Sequence, residues 1–351
     1  MDFNFFKDRR ILITGHSGFK GCWLYTWLKI LGANVCGYSL KPNTTPSMFE
    51  AIYGQGDGNS VFADILDEKT LDKTFGEFKP EIVFHLAAQP LVRLSYKEPL
   101  NTYKTNVIGT LNVLQSALNC GSVKAFVNIT TDKCYENAEK GLPFTESEPM
   151  GGYDMYSSSK ACSEILSASF RRSFLANGYF LATARAGNVI GGGDWAKDRL
   201  LPDCIRAFVD AKAVEIRSPD SVRPWQHVLE PLHGYMELAQ KLYKFGNKYA
   251  SAYNFGPEPD GILKVGDVVS LARQYFGKGS VVIKKCDTLH EATLLRLDIT
   301  KAKTELDWRP VFTPQQAVKF AVDWYRDFYS GKDALAITKN QIKEFQSKIS
   351  L

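Results

Sequence analysis

Short apolar runs alternate with amphipathic stretches through the first half of the chain. Arg10-Ile11-Leu12-Ile13-Thr14, Asn34-Val35-Cys36-Gly37-Tyr38 and Val61-Phe62-Ala63-Asp64 read as strands, as do residues 81–86, 125–130 and 181–185. Continuous apolar runs of this length suit parallel strands covered on both faces. Between them, helical spacing runs over about 23–31, 71–78, 101–118 and a stretch opened by Tyr156. Strand and helix in alternation predict a doubly wound parallel α/β sheet. After about Gly191, Pro202, Pro219, Pro224 and Pro231 break the pattern into shorter elements. The expected division is a sheet domain over 1–190 and a smaller mixed α/β region over 191–351, with some interleaving back into the first.

Composition narrows the class. With 351 residues, 44% of them apolar, the chain can bury a full core. A net charge of +5 suits an anionic small molecule and does not point to nucleic acid. The seven cysteines form no C-x-x-C pair, and no Cys/His set has zinc spacing, so reduced thiols and no metal are expected. No apolar run reaches membrane-spanning length and residues 1–10 lack a signal-type apolar stretch, so the expected setting is the cytoplasm, away from membranes.

Thr14-Gly15-His16-Ser17-Gly18-Phe19-Lys20-Gly21 lies between the first strand and the first helix. Glycines at this spacing let the backbone approach a pyrophosphate, which the helix N-terminus then binds. Gly15, His16, Gly18, Phe19, Lys20 and Gly21 are therefore candidate cofactor residues. Lys20 either contacts pyrophosphate or is a solvated first-turn lysine. Asp64 and Ile65 could hold an adenine amino group, and Asp64 alone could equally be a helix N-cap. Leu86, Ala87 and Ala88 put small side chains where a cofactor could lie on the backbone. Ser39-Leu40-Lys41 stands where a carboxylate usually binds the adenosine ribose. That leaves NAD against NADP open and points to weak adenosine binding.

A second cluster surrounds the strand at 125–130. Thr131-Asp132-Lys133 follows it, and Tyr156 and Lys160 sit at i and i+4 on one helical face. A lysine beside a phenol favours the phenolate. Threonine, acid, amine and phenol near one strand end make a proton-transfer site. The bland alternative for Asp132-Lys133 is a structural ion pair.

These residues resemble the extended short-chain dehydrogenase/reductase family over nearly the whole chain. The resemblance is carried by the Thr-Gly-x-x-Gly-x-x-Gly turn, His85-Leu86-Ala87-Ala88, Asn106, Thr131, Tyr156-x-x-x-Lys160 and Arg185-x-x-Asn188. Within the family, Thr131-Asp132 looks like the nucleotide-sugar 4,6-dehydratases. Gly15-His16-Ser17-Gly18-Phe19-Lys20-Gly21, Asp132-Lys133-Cys134-Tyr135 and Arg223-Pro224-Trp225-Gln226-His227-Val228 look closest to those acting on CDP-glucose. Lys133 departs from the glutamate most relatives carry. A lysine there also occurs in dehydratases of UDP-N-acetylhexosamines.

The resemblance implies a Rossmann-type fold, NAD as cofactor with Asn106 among its contacts, and CDP-glucose as substrate, in deoxysugar synthesis for lipopolysaccharide. It implies that Tyr156 takes the 4-hydroxyl proton with help from Thr131 and Lys160, that Lys133 removes the C5 proton, and that Asp132 protonates the departing 6-hydroxyl. Gln89, Arg93, Asn188, Arg199, Leu200, Arg223, Trp225 and His290 become expected substrate contacts. Helices at 101–118 and 156–174 resemble those that pair in family dimers, so a homo-oligomer, dimer or dimer of dimers, is expected. A 4-epimerase, a UDP-N-acetylhexosamine or dTDP-glucose dehydratase, and a dinucleotide-binding regulator without chemistry are the alternatives.

Overall fold

A computed structural model describes residues 1–137, 141–174, 178, 180–216, 218–259, 261–284 and 296–349. The first six strands are β1 (Arg10–Thr14), β2 (Asn34–Ser39), β3 (Ser60–Phe62), β4 (Ile82–His85), β5 (Ala125–Ile129) and β6 (Phe180–Ala186). Every residue of β4 and β5 is buried, as an apolar run between two helical layers requires. Short strands follow: β7 (Val189–Ile190), β8 (Ala213–Ile216), β9 (Val222–Arg223), β10 (Gln226–His227) and β11 (Ala252–Phe255). The seven-stranded sheet runs β11-β6-β5-β4-β1-β2-β3 and is parallel throughout. Strand order reverses between β1 and β4, so a crevice opens at their C-terminal ends.

The helices are α1 (Phe19–Ile30), α2 (Met48–Tyr53), α3 (Glu68–Phe78), α4 (Val92–Lys97), α5 (Pro99–Tyr103), α6 (Thr110–Cys120), α7 (Met155–Phe174), α8 (Leu200–Val209) and α9 (Leu229–Phe245). Helix α1 begins four residues earlier than its apolar spacing suggests, because Gly18 is its N-cap. The expected helix over 101–118 is composite. A π-helical segment, Lys104–Gly109, separates α5 from α6. Asn106 lies within it and bonds the Gln89 backbone in both directions, accepting from its N–H at 2.8 Å and donating to its C=O at 3.1 Å. A π segment widens the helix locally and re-aims one side chain.

Among the described residues beyond 191 no separate large sheet forms. β10 pairs with β7, the strand Ser280–Ile283 pairs with β8, and β11 returns to the edge of the main sheet beside β6. Helix α9 packs under β5 and β6 and buries most of its length. No helix among the described residues is long and apolar enough to cross a membrane.

Candidate active site

The glycine turn is shaped by backbone contacts. Gly15 has φ +76°, and a β-carbon there would lie 2.7 Å from the Ala87 nitrogen. A β-carbon on Gly21 would lie 2.0 Å from the Gly15 carbonyl oxygen, so α1 rests directly on the turn. Gly18 supplies no side-chain cap and the first turn of α1 holds no acid. The amides there remain oriented for an anion, and a dinucleotide pyrophosphate fits the cradle. Leu86 and Ala87 face it from the end of β4, their N–H groups held by Thr14 at 3.0 and 3.2 Å, and Ala88 follows.

Four expected cofactor side chains turn elsewhere. The His16 ring is fully buried, hydrogen-bonded to Ser39 and Ser60, both at 3.0 Å, with Phe49 edge-on to it. Burial pushes its pKa down to about 4. Only its backbone is left at the turn, and Ser39, in the place of the usual carboxylate, is committed to it. Asp64 is exposed and accepts the Leu66 N–H at 2.9 Å, closing a local turn. The N-cap of α3 is Asp67, three residues on. Ile65 is buried and fills the space beside Gly109, where a β-carbon would meet it at 2.4 Å. Lys20 is half-buried and lies within electrostatic reach of Arg199, Asp132, Lys160 and Lys133; burial, then Arg199, push its pKa down to about 7. It joins the second cluster.

That cluster forms where β5 ends. Thr131 caps the short turn Asp132–Cys134, donates to Asp132 Oδ1 at 3.0 Å and accepts the Lys133 N–H at 3.3 Å. Its hydroxyl also favours the charged form of the Tyr156 phenol. Asp132 is 1% exposed, with Lys133 Nζ at 3.4 Å and Asn188 Nδ2 at 3.4 Å. Gly187 must be glycine here, since a β-carbon would sit 1.8 Å from Asp132 Oδ2. Asn188 follows at φ 50°, a left-handed position asparagine tolerates. Lys160 Nζ donates to the Ile129 carbonyl at 3.1 Å, and burial brings its pKa down to about 8. The Tyr156 phenol is pushed up to about 12 by burial, which here outweighs Thr131 and Arg199.

One part of this machinery escaped the sequence reading. Glu164, one turn beyond Lys160, pairs with Arg185 of β6 through two hydrogen bonds of 2.9 Å, both side chains about 5% exposed or less. Thr130 and Thr183 also donate to it. The i+4 spacing from Lys160 was the signal.

The expected substrate contacts divide. Arg199 and Leu200 open α8 beside the cluster. Arg199 pairs with Asp194 at 2.7 Å, which raises its pKa, and its charge acts on Tyr156. Arg223 lies in β9, and Trp225 is buried with Nε1 donating to the Leu263 carbonyl at 3.3 Å. Arg93 pairs with Asp198 on the surface at 3.0 Å. The Gln89 side chain donates to Leu91 and Thr102 and accepts from the Leu91 N–H. His290 lies outside the described residues.

A profile of the GDP-mannose 4,6-dehydratase family matches residues 12–320. A CDP-glucose 4,6-dehydratase of Salmonella typhimurium strain LT2 is 46% identical over 354 residues, covering 99% of each chain. The structure of a UDP-glucose 4-epimerase of Thermotoga maritima, solved with UDP-glucose, superposes with a TM-score of 0.77 at 25% identity over 91% of this chain and 99% of that one. A dTDP-glucose 4,6-dehydratase of Bacillus anthracis, solved with NAD, gives 0.76 at 22% identity over 93% and 99%, a likeness of fold.

Proposed function

We propose that this chain, which belongs to the NAD-dependent nucleotide-sugar 4,6-dehydratase and epimerase family, converts CDP-D-glucose to CDP-4-keto-6-deoxy-D-glucose and water. The observation that carries the choice of dehydration over epimerisation is Asp132-Lys133. A C4 epimerisation needs a phenol, a lysine and a hydroxyl donor. It needs no second acid and base, yet both stand within one turn of Thr131. The choice of CDP-glucose is supported by the 46% identity to the Salmonella enzyme.

NAD, held on the glycine turn, would accept hydride from C4 and return it to C6. Tyr156 would take the 4-hydroxyl proton, with Lys160 stabilising the phenolate and Thr131 donating to O4 as it becomes a carbonyl. The 4-ketone acidifies C5–H. Lys133 would remove that proton and return one to C5 as hydride enters C6, and Asp132 would donate to the departing 6-hydroxyl. The two side chains are held 3.4 Å apart. Arg199 and Arg223 would meet the diphosphate, a use suited to the guanidinium fork.

Two chains would pair through the helices flanking the site. Leu100, Ile108 and Leu111 of the composite helix and Ile165 of α7 are 67%, 47%, 37% and 57% exposed, an apolar stripe that a partner copy would cover. Sedimentation at several concentrations tests this, and a monomer throughout would reject it.

The deciding experiment supplies CDP-, dTDP-, UDP- and GDP-sugars with added NAD and reads the alkaline absorbance of 4-keto-6-deoxy products. CDP-glucose should be the preferred substrate. Epimerised sugar without dehydration would overturn the reading.

A further inference from the structure

Residues 191–199 link β7 to α8 and rest on the helix Pro314–Tyr329. A β-carbon on Gly192 would lie 2.0 Å from Trp324 Cγ, so the backbone passes directly over that ring. Trp195 packs against Trp324, Tyr325 and Phe328, with ring centroids 5.7, 5.7 and 5.2 Å away. Between these anchors every polar group of Asp194 is bonded. Its N–H donates to the Tyr325 hydroxyl at 3.0 Å, and that hydroxyl donates back to the Asp194 carbonyl. Asp194 Oδ1 accepts the Ala196 N–H at 3.0 Å, and Oδ2 accepts from Arg199 Nη1 at 2.7 Å. Asp194 is 4% exposed, whereas the Arg199 side chain is 33% exposed. One partner is fixed and the other remains open to a ligand.

Arg199 needs such an anchor. It lies within electrostatic reach of Lys20 on the first turn of α1 and of Tyr156 on α7. Like charges in a partly buried site drive each other apart. The Asp194 carboxylate is the main influence keeping Arg199 charged there, and it outweighs burial. Among the described residues Asp194 is the one hydrogen-bond partner of the guanidinium, so most of its N–H donors are left for a ligand. We propose that Asp194, held in turn by Tyr325, is the positioning residue for the substrate diphosphate and acts through Arg199. The inference rests on Arg199 meeting that diphosphate, as in the function proposed above. The reach of the clamp is then set from Tyr325, 131 residues further along the chain.

Calorimetric titration with CDP reads the clamp without turnover. Asp194→Asn keeps the size of the side chain and its bond to Ala196 but removes the charge. It should weaken CDP binding roughly tenfold. In turnover KM for CDP-glucose should rise by a similar factor, with kcat within about threefold of wild type. Tyr325→Phe keeps the ring packing, loses both bonds to the Asp194 backbone, and should weaken CDP about threefold; it carries the test where Asp194→Asn does not fold. Arg199→Gln should cost at least as much as Asp194→Asn, and the double variant no more than Arg199→Gln alone. Additive losses, unchanged or tighter CDP binding in Asp194→Asn and Tyr325→Phe, or a fall in kcat at constant KM would overturn the proposal. If the wild type binds UDP or dTDP in place of CDP, the choice of CDP-glucose fails, and the same titrations with that nucleotide decide the clamp alone. A wild type that binds none of the three rejects the nucleotide-sugar reading, and the clamp with it.

Discussion

The α7 face and the Thr131–Cys134 turn face one cleft, but they are built differently. Along α7 the charges are buried and answered. Lys160 is bonded to the end of β5, and Glu164 is held by Arg185, Thr130 and Thr183. On the turn, Asp132 is buried but the Lys133 side chain is 32% exposed, and both contacts that reach the carboxylate from Lys133 and Asn188 are long, at 3.4 Å. The helix face, with Thr131, carries the groups proposed for C4, which a dehydratase and an epimerase would share. The turn carries those proposed for C5 and C6. On that proposal, reaction type turns on two residues, Asp132 and Lys133, while the frame along α7 stays the same.

Tyr156→Phe should break the helix side most severely. Turnover should fall ~10²–10⁴-fold, with no reduced-nicotinamide absorbance when sugar nucleotide is added. Near wild-type turnover would remove Tyr156 as proton acceptor. Glu164→Gln tests the frame beneath it. Leaving Arg185 charged and buried without its partner should cost about 3–5 kcal/mol in denaturant unfolding. Glu164 has a lowered pKa, so its stabilisation is full at neutral pH and is lost as pH falls through that lowered value. The gap between wild type and variant should close in acid; a gap that stays constant to low pH would mean packing, not charge, is at stake.

Lys133→Ala attacks the turn alone. Dehydration should drop by ~10²-fold and C5 exchange should vanish, while some reduced cofactor still forms. Stability should stay within about 0.5 kcal/mol of wild type, because the side chain is partly exposed and its contact long. Undiminished C5 exchange would exclude Lys133 as the base.

The smallest effect is a pH slope. His85 lies under the cleft between Thr14 and Thr110, at 2.7 and 3.0 Å, and burial holds its pKa down to about 3. The unfolded chain binds this proton near pH 6.5 and the folded one does not, so stability is full above 6.5 and declines as pH falls below it. Each such histidine contributes about 1.4 kcal/mol per pH unit in that window. His85→Gln should flatten the melting-temperature profile between pH 6.5 and 4 by one such increment. An unchanged slope would show that His85 is charged in the folded protein.

The same contrast governs what could be read in advance. β4 and β5 are legible because burial on both faces leaves an unbroken apolar run. The glycine turn is legible because close backbone contacts exclude any side chain at Gly15 and Gly21. The His16 ring, polar at a phosphate-binding turn, is bonded by Ser39 and Ser60 inside the core, which spacing alone does not show. The Gln89 amide is likewise bonded within its own loop. β7, β9 and β10 have two residues each, too short to show a period, so Asn188, Arg199 and Arg223 were found only through family resemblance.

The π segment at Lys104–Gly109 has a consequence for how this chain can vary. Asn106 must look toward Gln89 and Ser159, while Val113, Leu114 and Ala117 must look into the core beneath α6. A regular helix advances about 100° per residue. Removing one residue from the segment would straighten it and swing every later position around the axis by that angle, setting the core face against the cleft. The extra residue is thus a phase shifter between two readers of one helix. The spacing from 106 to 113 cannot lose a single step.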